Sequence, residues 1–475
     1  MTRTSPPSAR PLAVILAAGL GTRMRSSLAK VLHPLCGRPM VAWVVEAVRH
    51  AGCEPVVVVH HQEDAVRAAL PGVRCVRQEQ PRGTGDAVRA ASPALPAEGT
   101  VLVLPGDAPL LRAETLDALL RAHGEALCTV LSTRVERPGA YGRIVREGGR
   151  VARIVEASEA SAEELSIREV NSGIYAFDAA WLRERVLPTL RPHPPKDELY
   201  LTDAVALAAA EGRLQALCTE DARSLAGIND RVALAQAEDV LQERILEAHA
   251  LAGVSFQRPA TVRVEVDVEI APDVLVEPGV VLGGRCRIGA GARIGAHAVL
   301  RDSLVAEGAV VKPASVLEGA QVGPEAEVGP FAHLRKGSRL ERRCRVGNFV
   351  ETKNTRIGEG AKASHLSYLG DADVGAGANV GAGTITCNYD GYAKHPTVIG
   401  AGAFIGSNSS LVAPLNVGEG ALVGAGSTVT ASVPAGALAI GRARLVCYPD
   451  GARQLRDQFR QRASEAAGKD REGRS

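Results

Sequence analysis

"IGAGARIGAHAVL", residues 288–300, places Ile288, Ile294 and Leu300 six residues apart, with small residues close behind the first two. An apolar side chain that must point inward once in six residues, with a tight corner soon after, suits a parallel β-helix of triangular section. Three hexads then close one coil. The same beat precedes this stretch at Ile270, Val276 and Leu282. After a four-residue slip it resumes at Leu304, Val310, Val316, Val322, Val328, Leu334, Leu340 and Val346, and it returns at Ile399, Ile405, Leu411, Val417, Val423 and Val429. Two stretches break it, "KASHLSYLGD" (362–371) and "TCNYDGYAKHPT" (386–397). Breaks in a solenoid are where binding and catalytic groups are inserted, so both are candidate functional segments.

Ahead of the repeat the period is different. From Leu12 to about Ala226, short apolar runs alternate with helical patterns, as in "LAVILAAG", "MVAWVVEAVRHAG", "PVVVVHH", "TVLVLPGD" and "AETLDALLRAHG". That is the signature of βαβ units around a parallel sheet buried on both faces. Between Asn229 and Leu251 no Gly or Pro intervenes, and Val232, Ala235, Leu241 and Ile245 recur near helical spacing, which predicts a connecting helix. The expected organisation is a Rossmann-like α/β domain with a mostly parallel sheet over residues 1–228, a linker helix over 229–251 and an all-β repeat domain over 252–475. The charged end from Gly451 is expected to fray.

Composition narrows the function classes. The 475 residues are 46% hydrophobic, enough for two or three separate cores. Net charge is only +2, from 55 basic and 53 acidic residues, so no global field draws nucleic acid or an anionic membrane, and neither is an expected partner. Nine cysteines in no CxxC pair argue against a disulfide framework and a structural zinc site, and favour a reducing cytoplasm. Leu12–Leu20 lacks a small-x-small cleavage site and is read as a buried first strand, not a signal peptide. No apolar run reaches the length that spans a bilayer.

"LAAGLGTRM" (16–24) leaves the carboxyl end of that first strand, where open α/β sheets bind ligands. It lacks the Gly-Lys-Ser/Thr ending of a Walker loop, and Met24 stands where a dinucleotide fingerprint needs its third glycine. Its backbone N–H groups can cradle phosphates while Arg23 and Lys30 add charge; a tight turn with a solvated arginine is the other reading. "VLVLPGDAPL" sets Gly106 and Asp107 at the same sheet edge, where the carboxylate either holds Mg²⁺ against phosphate oxygens or caps the helix of "AETLDALL". "QEQPRGTGDA" supplies Gln78, Gly83 and Thr84, able to approach and read a base edge. His365, in the first break, is a general base or a structural histidine.

Together LAAGLGTRM, Lys30, QEQPRGTG, GDAPL, YGRI, IVE, VNSG and GIND, followed by the hexads, resemble one family over about residues 12–445. It is the family of bifunctional bacterial N-acetylglucosamine-1-phosphate uridyltransferase/glucosamine-1-phosphate acetyltransferases. The resemblance implies a nucleotidyltransferase (pyrophosphorylase) domain followed by a left-handed parallel β-helix of hexapeptide repeats. By the same likeness Leu16, Ala17, Ala18, Gly19, Lys30, Gln78, Gly83, Thr84, Pro105, Gly106 and Asp107 bind UTP, while Gly142, Glu156 and Asn171 contact the sugar of N-acetylglucosamine 1-phosphate. Asp107 and Asn229 would bind Mg²⁺, and Arg23 would be catalytic by steadying the triphosphate.

In the second half the resemblance makes His365 the catalytic base for acetyl transfer from acetyl-CoA to glucosamine 1-phosphate. Arg335, Lys353, Tyr368 and Asn379 would hold that sugar phosphate, and Ala382, Asn388, Tyr389, Ser407, Ala425 and Arg442 the acetyl-CoA. Ala382 and Ala425 carry no chemistry of their own and would serve core packing equally well. The family likeness further implies a homotrimer through the β-helix and a place in peptidoglycan and lipopolysaccharide-type envelope synthesis. The sequence departs from the family's pattern at Ala29, Pro105 and Asp86, where proline, tyrosine and histidine are usual. A single-activity sugar-1-phosphate nucleotidyltransferase with an assembly or regulatory β-helix is the rival reading.

Overall fold

The computed structural model describes residues 10–193 and 197–472. The described residues form two compact units, divided at Arg287/Ile288, with 300–302 belonging to the first.

The first unit is built on one sheet whose strand order is Leu214–Thr219, Cys128–Arg134, Glu169–Asp178, Thr100–Pro105, Leu12–Leu16, Glu54–Val59 and Arg74–Arg77. Neighbours are parallel except around Glu169–Asp178, which runs antiparallel to both neighbours in this order and also to Arg143–Glu147, itself paired with Arg150–Val155 at the side of the sheet. The central strands Leu12–Leu16, Glu54–Val59 and Thr100–Pro105 are apolar at nearly every position because both faces are covered. Leu12, Val14, Val56, Val58, Val101 and Val103 share a core with Ala87, Val88, Ala204 and Val205. The alternate residues Ala13, Ile15, Val57, Val59, Leu102 and Leu104 share another with Val41, Val44, Val48, Leu116 and Leu119. Each such Val, Leu or Ile contributes roughly 1.5–3 kcal/mol when fully buried. The carboxyl ends of Leu12–Leu16 and Thr100–Pro105, paired in register, thereby become a fixed edge for the loops that follow them.

The linker helix spans Arg231–Leu251 and is capped by Asp230, whose side chain accepts from Ala233 N at 2.9 Å. Its packed stripe runs through Ala233, Leu234, Ala237, Val240, Leu241 and Ile245 against Leu35, Met40, Leu110 and Ile228. Val232 and Ala235, expected on that face, are exposed, because the stripe follows the three- and four-residue steps from Ala233 and Leu234. Gln242 Nε2 donates to Val264 O at 2.9 Å, Arg263 pairs with Glu238, and Val266 N donates to Cys36 O at 3.0 Å. These bonds attach the first hexads to this unit, so the division falls inside the repeat.

The second unit is a parallel β-helix of three faces. The first face carries Arg345–Asn348, Lys362–His365, Asn379–Val380, Phe404–Ile405 and Leu422–Val423 in that order. The second carries His333–Leu334, Glu351–Lys353, Tyr368–Gly370, Ile385–Cys387 and Ser410–Val412. The third carries Arg339–Leu340, Arg356–Ile357, Ala372–Val374, Thr397–Ile399 and Leu415–Val417.

The inward register corrects the expected anchors. Val305, Val311 and Leu317 are buried at 1%, 0% and 0% exposure, and not their neighbours Leu304, Val310 and Val316. Corners entering the third face often take five residues, with Asp302, Gly319, Asn354 or Asp371 in the left-handed region at φ 47° to 58°. One shortened corner shifts the beat by a single position, and adjacent apolar pairs such as Val310–Val311 hide the shift from sequence.

The first expected break is no break. Thr352, Ile357, Ala363, Leu369, Val374, Val380 and Thr386 are all buried and keep the beat straight through 362–371. It is invisible because small or hydroxylated residues hold inward positions. Thr352 Oγ1 meets Ser338 Oγ at 2.7 Å, and Thr386 Oγ1 accepts from Gly370 N at 2.8 Å, so neither hydroxyl is buried without a partner. Only the segment after Cys387 is an insertion. The charged tail expected to fray is helical over Gly451–Glu472, a run without proline in which Arg, Gln, Ala and Glu predominate.

Candidate functional site

In the first unit the glycine loop is shaped by what passes beside it. Gly21 has φ 59°, and a Cβ there would stand 2.5 Å from Lys30 Cβ, so glycine is needed both for the turn and for the close approach of Lys30. Thr22–Met24 forms one 3-10 turn between Gly21 and Arg25, both left-handed, with Met24 buried. Arg23 Nη2 donates to Asn229 Oδ1 at 2.8 Å. Lys30 Nζ donates to the same oxygen at 2.8 Å and forms an ion pair with Asp107 Oδ2. Arg23 is therefore not simply solvated. Nor is Asp107 a helix cap, since the helix Ala113–His123 begins at Arg112 without a side-chain cap. Gly106 N donating to Leu16 O and Ile228 N donating to Asp107 O, both at 2.8 Å, fix Asp107 at the sheet edge.

These groups open on a cleft of about 530 Å³ lined by Leu16, Ala17, Ala18, Gly19, Arg23, Lys30, Gln78, Gly83, Thr84, Pro105, Asp107 and Asn229. Gly106, Gly142, Glu156 and Asn171 do not line it, whereas Tyr141, Ser172, Gly173 and Glu198, which sequence reasoning missed, do. Tyr141, Ser172 and Gly173 lie within YGRI and VNSG, and Glu198 lies in neither. Asn171 instead braces the wall, donating to Tyr175 Oη at 2.6 Å and accepting from Gly173 N at 3.0 Å. Burial, and then the neighbouring Glu159, push the Glu156 carboxyl above its ordinary range. Gln78 Nε2 donates to Asp86 Oδ2 at 2.8 Å, so the unusual Asp86 fixes the rotation of that amide.

Gly83 has φ 94°, and a Cβ there would lie 2.6 Å from Leu199 O. Gly83→Ala is expected to cost about 1–3 kcal/mol through strain and clash, read as a lowered unfolding midpoint.

Oxygen donors are sparse at this edge. Asp107 offers a carboxylate and Asn229 an amide oxygen, and no group of three or more His, Cys, Asp or Glu able to hold a metal occurs among the described residues. Such a pair suits a hard cation that draws its remaining oxygens from phosphate and water.

In the second unit most of the candidates fall along one edge and one face of the prism, with Asn379 on another face and Asn388 and Tyr389 on the insertion. Asn348, His365, Ala382, Ser407 and Ala425 each lie two residues beyond the buried anchors Val346, Ala363, Val380, Ile405 and Val423, so they occupy the same corner in successive coils. Arg442 joins them, donating to Ala425 O at 2.6 Å. His365 is exposed, and its Nδ1 donates to Asn348 Oδ1 at 2.6 Å, which leaves Nε2 as the lone-pair nitrogen. The next corner residues, Phe331, Phe349 and Leu366, are left-handed at φ 56°, 56° and 49° yet 53%, 55% and 61% exposed. The two phenyl rings stack at 5.4 Å.

Arg335, Lys353 and Tyr368 follow one another up the second face, and Asn379 lies on the first. Lys394, which sequence reasoning missed, comes from the insertion; together with Arg335 it holds the Lys353 ammonium below its ordinary pKa. Such crowded positive charge suits a phosphate dianion. A Cβ at Gly370 would lie 2.4 Å from Tyr368 Oη and 2.7 Å from Asn388 Nδ2, so glycine lets these side chains meet. Asn388 Nδ2 donates to Asp371 Oδ2 at 2.6 Å. Asp390 braces the rest of the insertion by accepting from Ala393 N, His395 Nε2 and Tyr392 N, which hold its carboxyl well below the usual range.

Residues 13–250 match the MobA-like NTP transferase domain, residues 267–302 the bacterial transferase hexapeptide (six repeats), and residues 396–431 the hexapeptide repeat of succinyl-transferase. The chain is 48% identical over 439 residues to the bifunctional protein GlmU of Pelobacter propionicus, covering 90% of this chain and 95% of that one. It is 49% identical over 446 residues to that of Sorangium cellulosum, covering 91% and 94%. The chain belongs to the GlmU family. GlmU membership bears out the resemblance read from the motifs and the joining of a nucleotidyltransferase domain to a left-handed β-helix of hexapeptide repeats. Among the described residues no helix is long and apolar enough to cross a membrane.

Proposed function

We propose that this chain is a bifunctional enzyme of UDP-N-acetylglucosamine synthesis. Its β-helix moves an acetyl group from acetyl-CoA to glucosamine 1-phosphate, and its first unit joins N-acetylglucosamine 1-phosphate to UTP with release of pyrophosphate. The product feeds cell-envelope synthesis. The observation that carries the first activity is the meeting of Arg23, Lys30, Asp107 and Asn229 at one sheet edge.

In uridylyl transfer, Arg23 and Lys30 exchange Asn229 and Asp107 for the β and γ phosphates. Leu16 to Gly19 border those phosphates, Gln78, Gly83 and Thr84 face the base, and Gly142, Glu156 and Asn171 shape the sugar side. Asp107 and Asn229 would hold Mg²⁺, which when bound neutralises phosphate charge. A phosphate oxygen of N-acetylglucosamine 1-phosphate attacks the α phosphorus in line. A new P–O bond forms, the α–β bridge breaks, and pyrophosphate leaves; this chemistry needs positioning more than covalent catalysis.

In acetyl transfer, Arg335, Lys353 and Tyr368, with Asn379, hold the sugar phosphate. His365 Nε2 takes a proton from the 2-amino nitrogen as that nitrogen attacks the thioester carbonyl. The C–N bond forms, the C–S bond breaks, and CoA leaves as the thiol. Ala382, Ser407, Ala425 and Arg442 follow the edge along which an extended acetyl-CoA would lie, and Asn388 and Tyr389 lie on the insertion. Nine free cysteines suit a cytoplasmic enzyme. A two-substrate assay tests the reading: UTP-dependent pyrophosphate release and CoA thiol release are both expected. Pyrophosphate release without CoA release would favour the single-activity nucleotidyltransferase.

The acetyl site is proposed to be shared within a homotrimer. Exposed, left-handed Phe331, Phe349 and Leu366 border the corner that carries His365, an apolar edge whose strain is explained if other copies cover it. Light scattering should find a trimer. The double variant Phe331→Asp, Phe349→Asp should be monomeric and lose CoA release while keeping pyrophosphate release. A wild-type monomer with full acetyl transfer would sink the shared site.

A further inference from the structure

We infer that Arg231, the first residue of the linker helix, is a positioning residue for Arg23, joining the turn that carries Arg23 to the turn that carries Lys30. The inference rests on the uridylyl-transfer reading and deepens it. Arg231 Nε donates to Met24 O at 3.2 Å, gripping the backbone directly after Arg23. On its other side Arg231 Nη1 lies 3.5 Å from His33 Nδ1. His33 follows the Lys30 turn, its N–H donating to Lys30 O at 3.3 Å. It is only 3% exposed, and its Nε2 has no partner. Burial first, and Arg231 second, hold the imidazole below its ordinary pKa, so it faces the guanidinium as a neutral ring.

The link matters because the resting grip on Arg23 has to be released. Arg23 and Lys30 share Asn229 Oδ1, and Lys30 also uses Asp107. A metal–triphosphate substrate would claim those same oxygens and leave both cations without their resting partners. The Met24–Arg231–His33 connection uses neither Asn229 nor Asp107, so it survives the exchange. It holds a turn that has reason to relax, since Arg25 sits at φ 47° without being glycine. Asn229 and Arg231 stand two residues apart, so the entrance of one helix grips the loop both at the Arg23 side chain and at the Met24 backbone.

The test measures pyrophosphate release by the full chain with UTP and N-acetylglucosamine 1-phosphate in the wild type, Arg231→Gln, Arg231→Lys, Arg23→Ala and the double variant Arg23→Ala, Arg231→Gln. Arg231→Gln should lower kcat and kcat/KM for UTP by on the order of tenfold to a hundredfold with little change in KM for the sugar phosphate. Arg231→Lys, which can still donate to Met24 O, should recover part of the rate. In the Arg23→Ala background, Arg231→Gln should cost less than twofold more, since a residue that acts through Arg23 has nothing left to position. Losses that multiply in the double variant, or a wild-type rate in Arg231→Gln, would overturn the inference. CoA release and the melting curve check folding, and if Arg231→Gln melts early, Arg231→Lys carries the same comparison. Absence of pyrophosphate release from the wild type would instead overturn the uridylyl-transfer reading.

Discussion

Asp107→Asn is expected to lower pyrophosphate release by on the order of 10²–10⁴-fold, because in the proposed role its carboxylate would hold Mg²⁺, and losing that forfeits several kcal/mol of charge stabilisation, each 1.36 kcal/mol being tenfold in rate. The substitution keeps the side chain's shape. The two backbone bonds that place residue 107, to Leu16 and Ile228, do not involve the carboxylate, so the sheet edge should stand unchanged. Lys30 loses its ion pair but keeps Asn229. The effect should therefore be one of chemistry and not of folding, with an unfolding midpoint near that of the wild type. Full pyrophosphate release by this variant at ordinary Mg²⁺ would refute the role given to Asp107.

His365→Ala is expected to lower CoA release by on the order of 10²–10⁴-fold, the range over which general-base catalysis operates. His365 is exposed at a corner, and its hydrogen bond to Asn348 orients the ring without supporting the inward-facing core, so the coil should remain intact. Asn348→Ala should give a smaller loss in the same activity, because the ring keeps its base but loses the acceptor that selects the Nε2 lone pair. An unchanged rate in His365→Ala would mean that the exposed imidazole is only a corner residue.

The two halves were legible in the sequence to different depths. Strands such as Leu12–Leu16 and Thr100–Pro105 could be read directly because burial on both faces makes nearly every position apolar. The β-helix was equally plain wherever Ile, Leu or Val filled the inward position. Its register was not, because the five-residue corner at Asp302 shifts the beat while Leu304–Val305 and Val310–Val311 offer two apolar choices each. The supposed break around His365 arose from Ala363, Thr352 and Thr386 standing where larger apolar residues were sought. At the sites, Arg23, Lys30 and Asp107 announced themselves by charge beside glycine. Asn229 could be paired with them only through family likeness, since the chain folds far-separated segments onto one edge. Tyr141 and Lys394 were missed although they lie within YGRI and within the segment 386–397, because neither side chain carries a signal of its own until the fold brings it to a site.

Two independent chemistries on one chain are tested most directly by a crossed measurement: pyrophosphate release and CoA release, each on Asp107→Asn and on His365→Ala, with folding followed by melting. Asp107→Asn should lose only pyrophosphate release and His365→Ala only CoA release, since sites on separate cores show little energetic coupling. A folded variant that loses both rates together would contradict the two-site account.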